Sequence, residues 1–196
     1  MTTTSFFPSG PSGAYSDGGA VFTGDRGLAE KLRSLRQHGP DKNKLNGLRI
    51  GLNSRLDTFQ AAVLLCKLDL LAGEITQRNG IAGTYKHLLC GVTVLPPTRE
   101  DVRPTWAAYT IRTKQRELIK QYLGDHDISS TIYYTIPFHR QQAYQHFPII
   151  EEPCSVTECA CEEILSQPIG PYLDTASQLH VLEILREALD EYRVTV

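Results

Sequence analysis

The chain has 196 residues, of which 41% are apolar and 21% charged, with a formal net charge of −2. That balance gives no basic field for nucleic acid or an anionic membrane surface, and no apolar run approaches the ~20 residues that cross a bilayer. Five cysteines without repeated spacing, and a start "MTTTSFF" that lacks the positive and apolar stretches of a secretory leader, lead us to expect a cytoplasmic protein in a reducing compartment.

Residues 5–23, "SFFPSGPSGAYSDGGAVFT", run from a short apolar strand signal through a Gly/Pro/Ser-rich turn into a second strand signal. Turn chemistry this dense exposes backbone amides to something small and anionic. Asp17, Gly18 and Gly19 read most simply as turn formers. "GDRGLAEKLRSLRQHGP" (24–40) predicts a helix capped by Asp25, with Leu28, Leu32 and Leu35 at helical spacing, basic residues in the last turn and Gly39-Pro40 as its stop. Residues 41–55 are polar and Gly/Asn-rich and read as a surface loop. A second helix is expected from Ser54, with Asp57 completing a weak capping box and Leu56, Phe59, Ala62, Val63, Cys66 and Leu70 on one apolar face. A third helical segment covers 74–89, although Gly80 and Gly83 each weaken it by about 1 kcal/mol relative to Ala. Tyr85, Leu88 and Leu89 within it read as core.

The texture changes at Val92. "VTVLP" (92–96), "WAAYTIRT" (106–113) and "ISSTIYYTI" (128–136) predict strands, with an amphipathic helix over 114–127. Pro137 ends the last strand, and one or two short helical turns follow it. Helices are expected over 156–165 and 175–193, with Pro168 and Pro171 between them. Strand, helix, strand at short spacing predicts a small α+β lobe whose first two strands, 106–113 and 128–136, share one sheet. Cys154, Cys159 and Cys161 have no second Cys/His pair at zinc spacing, and 159 and 161 point apart on a helix, so no metal site is expected.

Taken together, "SFFPSGPSGAYSDGGAVFT", "RQHG" (36–39), "GLNSRLDTFQAAVL" with "KL" following, "R..IA..Y" (78–85), "YYTIPFH.Q.AY" (133–144) and "ILSQPIGPYLD" (164–174) follow one another as in the DegT/StrS family. The chain therefore resembles the pyridoxal-phosphate-dependent sugar aminotransferases of fold-type I, which aminate keto-sugars on nucleotide carriers. The resemblance implies an α/β fold: a remnant of the cofactor-binding large domain with an interface helix over 1–70, a connecting helix over 71–90 and the small α+β domain over 91–196. It implies pyridoxal phosphate as cofactor, with Ser5 approaching the phosphate and Asn53 reaching a neighbouring subunit's phosphate. Arg55, beside Asn53, pairs either with an anion or with Asp57 and nearby glutamates. Tyr134 and His139 match the segment that lines the sugar pocket.

Two departures matter. The family's Schiff-base lysine position is occupied here by Gly10, which has no amine to form an imine or move a proton, and Ser9 and Ser12 are poor substitutes. Ser16 also stands where the family usually has glycine. The resemblance further begins about halfway along family members, after the phosphate loop, the ring-stacking aromatic residue and the carboxylate on the ring nitrogen. Three readings follow: a remnant without transaminase activity; half of a split enzyme completed by a separate N-terminal chain; or a non-catalytic dimerisation or sugar-nucleotide-binding module. A homodimer is expected, with residues 5–23 and 50–63 near the contact.

Overall fold

The computed structural model describes residues 1–43, 45–148 and 154–192. They form two units, Met1–Gly73 and Glu74–Val196, with the division inside one long helix.

In the first unit, β1 (Thr2–Ser5) pairs antiparallel with β2 (Gly19–Phe22), Thr2 opposite Phe22 and Ser5 opposite Gly19. Helix α1 (Arg26–Leu35) starts where expected, with Asp25 Oδ1 accepting from the Leu28 amide at 3.0 Å. It ends earlier than expected because the chain turns at Gly39, whose φ is +77°. A Cβ at Gly39 would collide with the Arg49 carbonyl, so this turn requires glycine. The Gly39 carbonyl accepts from the amides of Leu48 and Arg49, and Leu52 and Ser54 donate back to the carbonyls of Leu35 and Arg36. The loop over 41–55, apart from Lys44, which lies outside the described residues, is thereby stitched to the end of α1.

Helix α2 spans Thr58–Leu89 without a break. It starts at Thr58 rather than Ser54, because Asp57 itself is the cap: its Oδ1 accepts from the amides of Phe59 (2.8 Å) and Gln60 (3.3 Å). The separate second and third helices therefore merge, and Gly80 and Gly83 sit in the helix with open space where a Cβ would go. The apolar face expected on its first turns is not buried in this chain. Phe59 is 82% exposed, and Leu56, Cys66 and Leu70 are exposed too, while Leu64, which lies outside that expected face, is buried.

The second unit is organised around a two-stranded antiparallel sheet of β3 (Tyr109–Arg112) and β4 (Ile164–Gln167), Tyr109 opposite Gln167 and Arg112 opposite Ile164. Helices α3 (Arg116–Asp125), α4 (Ser155–Glu163) and α5 (Thr175–Glu191) complete it. Asp174 Oδ1 caps α5 through the Ser177 amide at 3.0 Å. The last expected residue of that helix, Arg193, lies outside the described residues. Along α5 the buried side chains Gln178, Val181, Leu182, Leu185, Ala188 and Leu189 recur at helical spacing. They meet Tyr85 and Leu89 of α2, Ile111 of β3, Ile119 and Leu123 of α3 and Leu165 of β4 in one core.

Two strand expectations are corrected. Residues 128–136 do not pair with β3; only Thr131 bonds the sheet, exchanging both backbone hydrogen bonds with Ser166 (3.2 and 2.7 Å) on the far side of β4. The pairing stops there because Tyr133, Tyr134 and Ile136 turn outward, and Pro137 follows. The strand partner of β3 comes instead from 164–167, which overlaps the last two residues of the helix expected over 156–165. Leu165, Ser166 and Gln167 are buried there, with Leu165 part of this core. "VTVLP" likewise makes only a bridge, the Arg112 amide donating to the Val94 carbonyl at 2.9 Å, before Pro96 and Pro97 remove the next donors.

At the rim of the sheet, Arg112 donates from Nε and Nη2 to Glu163 Oε2 (3.0 and 2.7 Å). These bonds hold the Glu163 carboxyl below the usual glutamate range. Its folded value lies below its unfolded value, so the stabilisation is complete above the ordinary glutamate range and is lost as pH falls through the depressed value. Glu163→Gln is therefore expected to be less stable than the native chain at pH 7, with the difference closing below about pH 4, as read by denaturant unfolding at a series of pH values. Gly80→Ala, filling open space on a helix, is expected to raise stability by about 0.5–1 kcal/mol in the same assay.

Candidate functional site

The turn between β1 and β2 is built by its own backbone. The Gly10 amide donates to the Phe7 carbonyl at 2.9 Å, the Gly13 amide to the Gly10 carbonyl at 3.0 Å, and the Ala14 amide to the Phe6 carbonyl at 2.7 Å. Two side chains of α2 hold its far end: Gln60 Oε1 accepts from the Tyr15 amide at 2.8 Å, and Lys67 Nζ donates to the Gly13 carbonyl while lying 5.8 Å from the Tyr15 ring centre. Gln60 and Lys67 both lie within the "GLNSRLDTFQAAVL"–"KL" motif, but nothing in their spacing says that they reach this turn.

Gly10 is not a position that backbone conformation reserves for glycine. Its φ is not positive, and a Cβ there would lie 3.2 Å from the Phe7 carbonyl oxygen, a tight contact that requires that oxygen to give by a few tenths of an ångström. Position 10 carries no side chain, and the φ there is not what excludes one. Ser5, exposed at the end of β1, accepts from the Phe7 amide through its Oγ at 3.1 Å, leaving its own hydroxyl proton free to donate.

A groove of about 1240 Å³ lies in the same unit, between β2, the end of α1 and the loop before α2. Asn53, held by its bridge to Gln37, lines it with Arg33, Arg36 and Arg55. None of the three guanidiniums has an ion-pair partner among the described residues, and Asp17 is the single carboxylate on the lining. Arg55 does not pair with Asp57, whose carboxylate is occupied with the α2 amides. The arrangement suits an anionic ligand. Ser5 is not on this lining, so one chain does not bring Ser5 and Asn53 together there. Arg33 and Arg36 are missed at the level of sequence because basic residues at a helix end satisfy the helix dipole equally well. For pyridoxal phosphate, the donors fit a phosphate group, whereas Gly10 does not fit a covalent attachment.

In the second unit, Tyr134 is 69% exposed and stands edge-on to Tyr133, with ring centres 5.6 Å apart. His139 is mostly buried and does not face solvent alone. Its Nε2 lies 3.0 Å from Glu158 Oε1 on α4, and Arg140 Nε donates to the same oxygen at 2.7 Å. These bonds, led by that of His139, hold the Glu158 carboxyl below its ordinary range. Glu158 thus anchors the loop that displays Tyr134. Cys159 is exposed and Cys161 buried, and among the described residues no three His, Cys, Asp or Glu side chains gather as a metal site. No described helix is long and apolar enough to cross a membrane.

Known proteins share this geometry. The chain is 40% identical over 177 residues to the UDP-2-acetamido-2-deoxy-3-oxo-D-glucuronate aminotransferase of Pseudomonas aeruginosa, an alignment covering 89% of this chain and 48% of that enzyme. A crystal structure of a DegT/DnrJ/EryC1/StrS aminotransferase from Brucella abortus superposes with a TM-score of 0.89 at 42% identity, over 94% of this chain and 50% of the other. A Bacillus subtilis protein solved with bound cofactor PMP superposes at 0.80 with 25% identity, over 96% of this chain and 46% of the other. The chain spans about half the length of the relatives it matches, and its fold is that half of a fold-type I aminotransferase. With its residues 1–186 matching throughout, the chain belongs to the DegT/DnrJ/EryC1/StrS aminotransferase family.

Proposed function

We propose that this chain is the C-terminal half of a nucleotide-sugar aminotransferase fold that, as it stands, carries out no transamination. On this reading residues 1–70 are the remnant of the cofactor domain, 71–90 the connecting helix and 91–196 the small substrate-side lobe. The observation that carries the reading is Gly10: the turn keeps the backbone that would present an amine, and the amine is gone. Pyridoxal phosphate, when bound, supplies the electron sink for amino transfer. The residues of this chain that remain suited to its neighbourhood are Ser5 and Asn53 as donors to phosphate, and Tyr134 and His139 beside the sugar of a nucleotide-sugar ligand. None of them holds or moves a proton as a lysine amine does.

A second reading adds a partner, either a separate N-terminal chain or a second copy, at residues 5–23 and 50–63. Its support is the first unit's surface: Val21, Phe22, Leu52 and Phe59 are exposed beside an open groove, and the β1–β2 ribbon has unpaired edges. Apolar area left in water costs about 25 cal/mol per Å², which favours covering it.

Two experiments separate these readings. Incubation with pyridoxal phosphate, borohydride reduction and peptide mass spectrometry are expected to find no site-specific pyridoxyl adduct, and no amino transfer from glutamate to a keto-sugar nucleotide; an adduct on one defined lysine would overturn the proposal. Gly10→Lys is expected to fold and to regain an adduct without turnover. Sedimentation at tens of micromolar is expected to show a dimer or larger species, and a monodisperse monomer rules out self-association.

A further inference from the structure

The loop that follows Thr131 is fastened at two places and untied between them. Thr131 exchanges both backbone hydrogen bonds with Ser166 of β4, and Ile132 packs against the core. Among the described residues no hydrogen bond then runs from 133–138 to another element, and Tyr133, Tyr134, Ile136 and Phe138 are exposed. The next fastening is at His139 and Arg140, whose Nε2 and Nε converge on one oxygen, Glu158 Oε1, at 3.0 and 2.7 Å.

That clasp has a firm base. Glu158 stands in the first turn of α4, where the helix dipole favours a carboxylate, and α4 runs directly into β4. Both ends of the displayed segment are therefore attached to one continuous stretch, residues 155–167. The His139 side chain is 16% exposed, so little water competes for its bond to the carboxylate. The ring contacts of Phe138 with Tyr144 (4.8 Å) and of Tyr144 with Phe147 (6.3 Å), by contrast, join the loop only to itself. A segment held at both ends has already lost much of its conformational freedom, so less remains to be lost when its side chains grip a ligand.

We propose that Glu158 is a positioning residue: without touching the ligand, it fixes 133–138 so that Tyr134 meets the sugar end of a nucleotide-sugar already ordered. The part that concerns the ligand rests on the reading of Tyr134 as a sugar-side residue. The part that concerns the loop does not.

Two measurements on the full chain test the two parts. The first is hydrogen exchange read by peptide mass spectrometry, with peptides over 133–147 reporting on the loop and peptides over β3 and α5 on the core. Glu158→Ala is expected to speed exchange in the loop about tenfold or more, the scale of a lost hydrogen bond to a charged group, and to leave the core unchanged. Glu158→Gln, of the same size and still an acceptor, is expected to give a smaller acceleration in the same peptides, and it serves if the alanine variant fails to fold. The second measurement is binding of the probe UDP-N-acetylglucosamine, followed by ligand-observed NMR titration. Tyr134→Ala and Glu158→Ala are each expected to weaken binding about tenfold, and the double variant to bind no more weakly than Tyr134→Ala alone, because Glu158 acts through Tyr134. Loop exchange that is unchanged in Glu158→Ala, or that rises equally in the core, overturns the proposal. So does Glu158→Ala binding the probe as tightly as the native chain, or losses that add in the double variant. If the native chain does not bind the probe, or Tyr134→Ala binds it equally well, the sugar-side reading of Tyr134 fails and the ligand part falls with it, while loop exchange still decides whether Glu158 fixes the segment.

Discussion

An isolated two-stranded sheet is marginally stable at best in water, and the described residues contain two of them. Both depend on side chains of the 32-residue helix α2. In the first unit, Leu64 of α2 is buried, while Gln60 and Lys67 reach the turn that joins β1 to β2. In the second, Tyr85 stacks on Tyr109 with ring centres 4.9 Å apart and puts its hydroxyl on the Pro168 carbonyl just past β4. That one side chain ties helix, strand and connection together. Burial pushes its phenol well above the ordinary tyrosine range, so it stays neutral and keeps donating.

The contrast between the units follows from how much apolar surface each buries. Leu89, Ile111, Ile119, Leu123, Leu165 and Leu185 are closed off from water in the second unit, and each fully buried aliphatic side chain contributes about 1.5–3 kcal/mol. The first unit buries little beyond Ala14 and Leu64 and is ordered mainly by backbone hydrogen bonds around Gly39 and Gly10. A unit held by hydrogen bonds alone has a small margin, because each bond contributes only about 1 kcal/mol net. It nevertheless carries a turn at position 10 and a groove lined by Asn53 and by three arginines that have no ion-pair partner among the described residues. The turn itself is held by main-chain hydrogen bonds, among them that of the Gly10 amide to the Phe7 carbonyl.

In the second unit, the loop that carries Tyr134 and His139 is held by electrostatics. Glu158 of α4 receives both His139 and Arg140, so the exposed Tyr133 and Tyr134 are displayed from an anchored base. A histidine that looks solitary in the chain is in fact a bridge between a loop and a helix nineteen residues away.

Much of this was legible in the chain because it rests on local chemistry. Asp25 and Asp174 cap their helices, Gly39 turns the chain, α5 shows its buried stripe, and the order of short motifs identifies the family, since caps, turns and periodicity act over a few residues. What stayed hidden was decided by partners distant in sequence. Residues 128–136 have a strand's alternation but lose the edge of β3 to Ile164–Gln167, because pairing is set by which segment also buries its side chains, not by propensity. The apolar face of α2 around Phe59 is legible in the sequence and is exposed, because periodicity tells which face is apolar and not whether anything covers it. Glycine at position 10 is plain in the sequence; only the tertiary structure shows that the backbone there does not require it, since that depends on φ and on the distance to the Phe7 carbonyl.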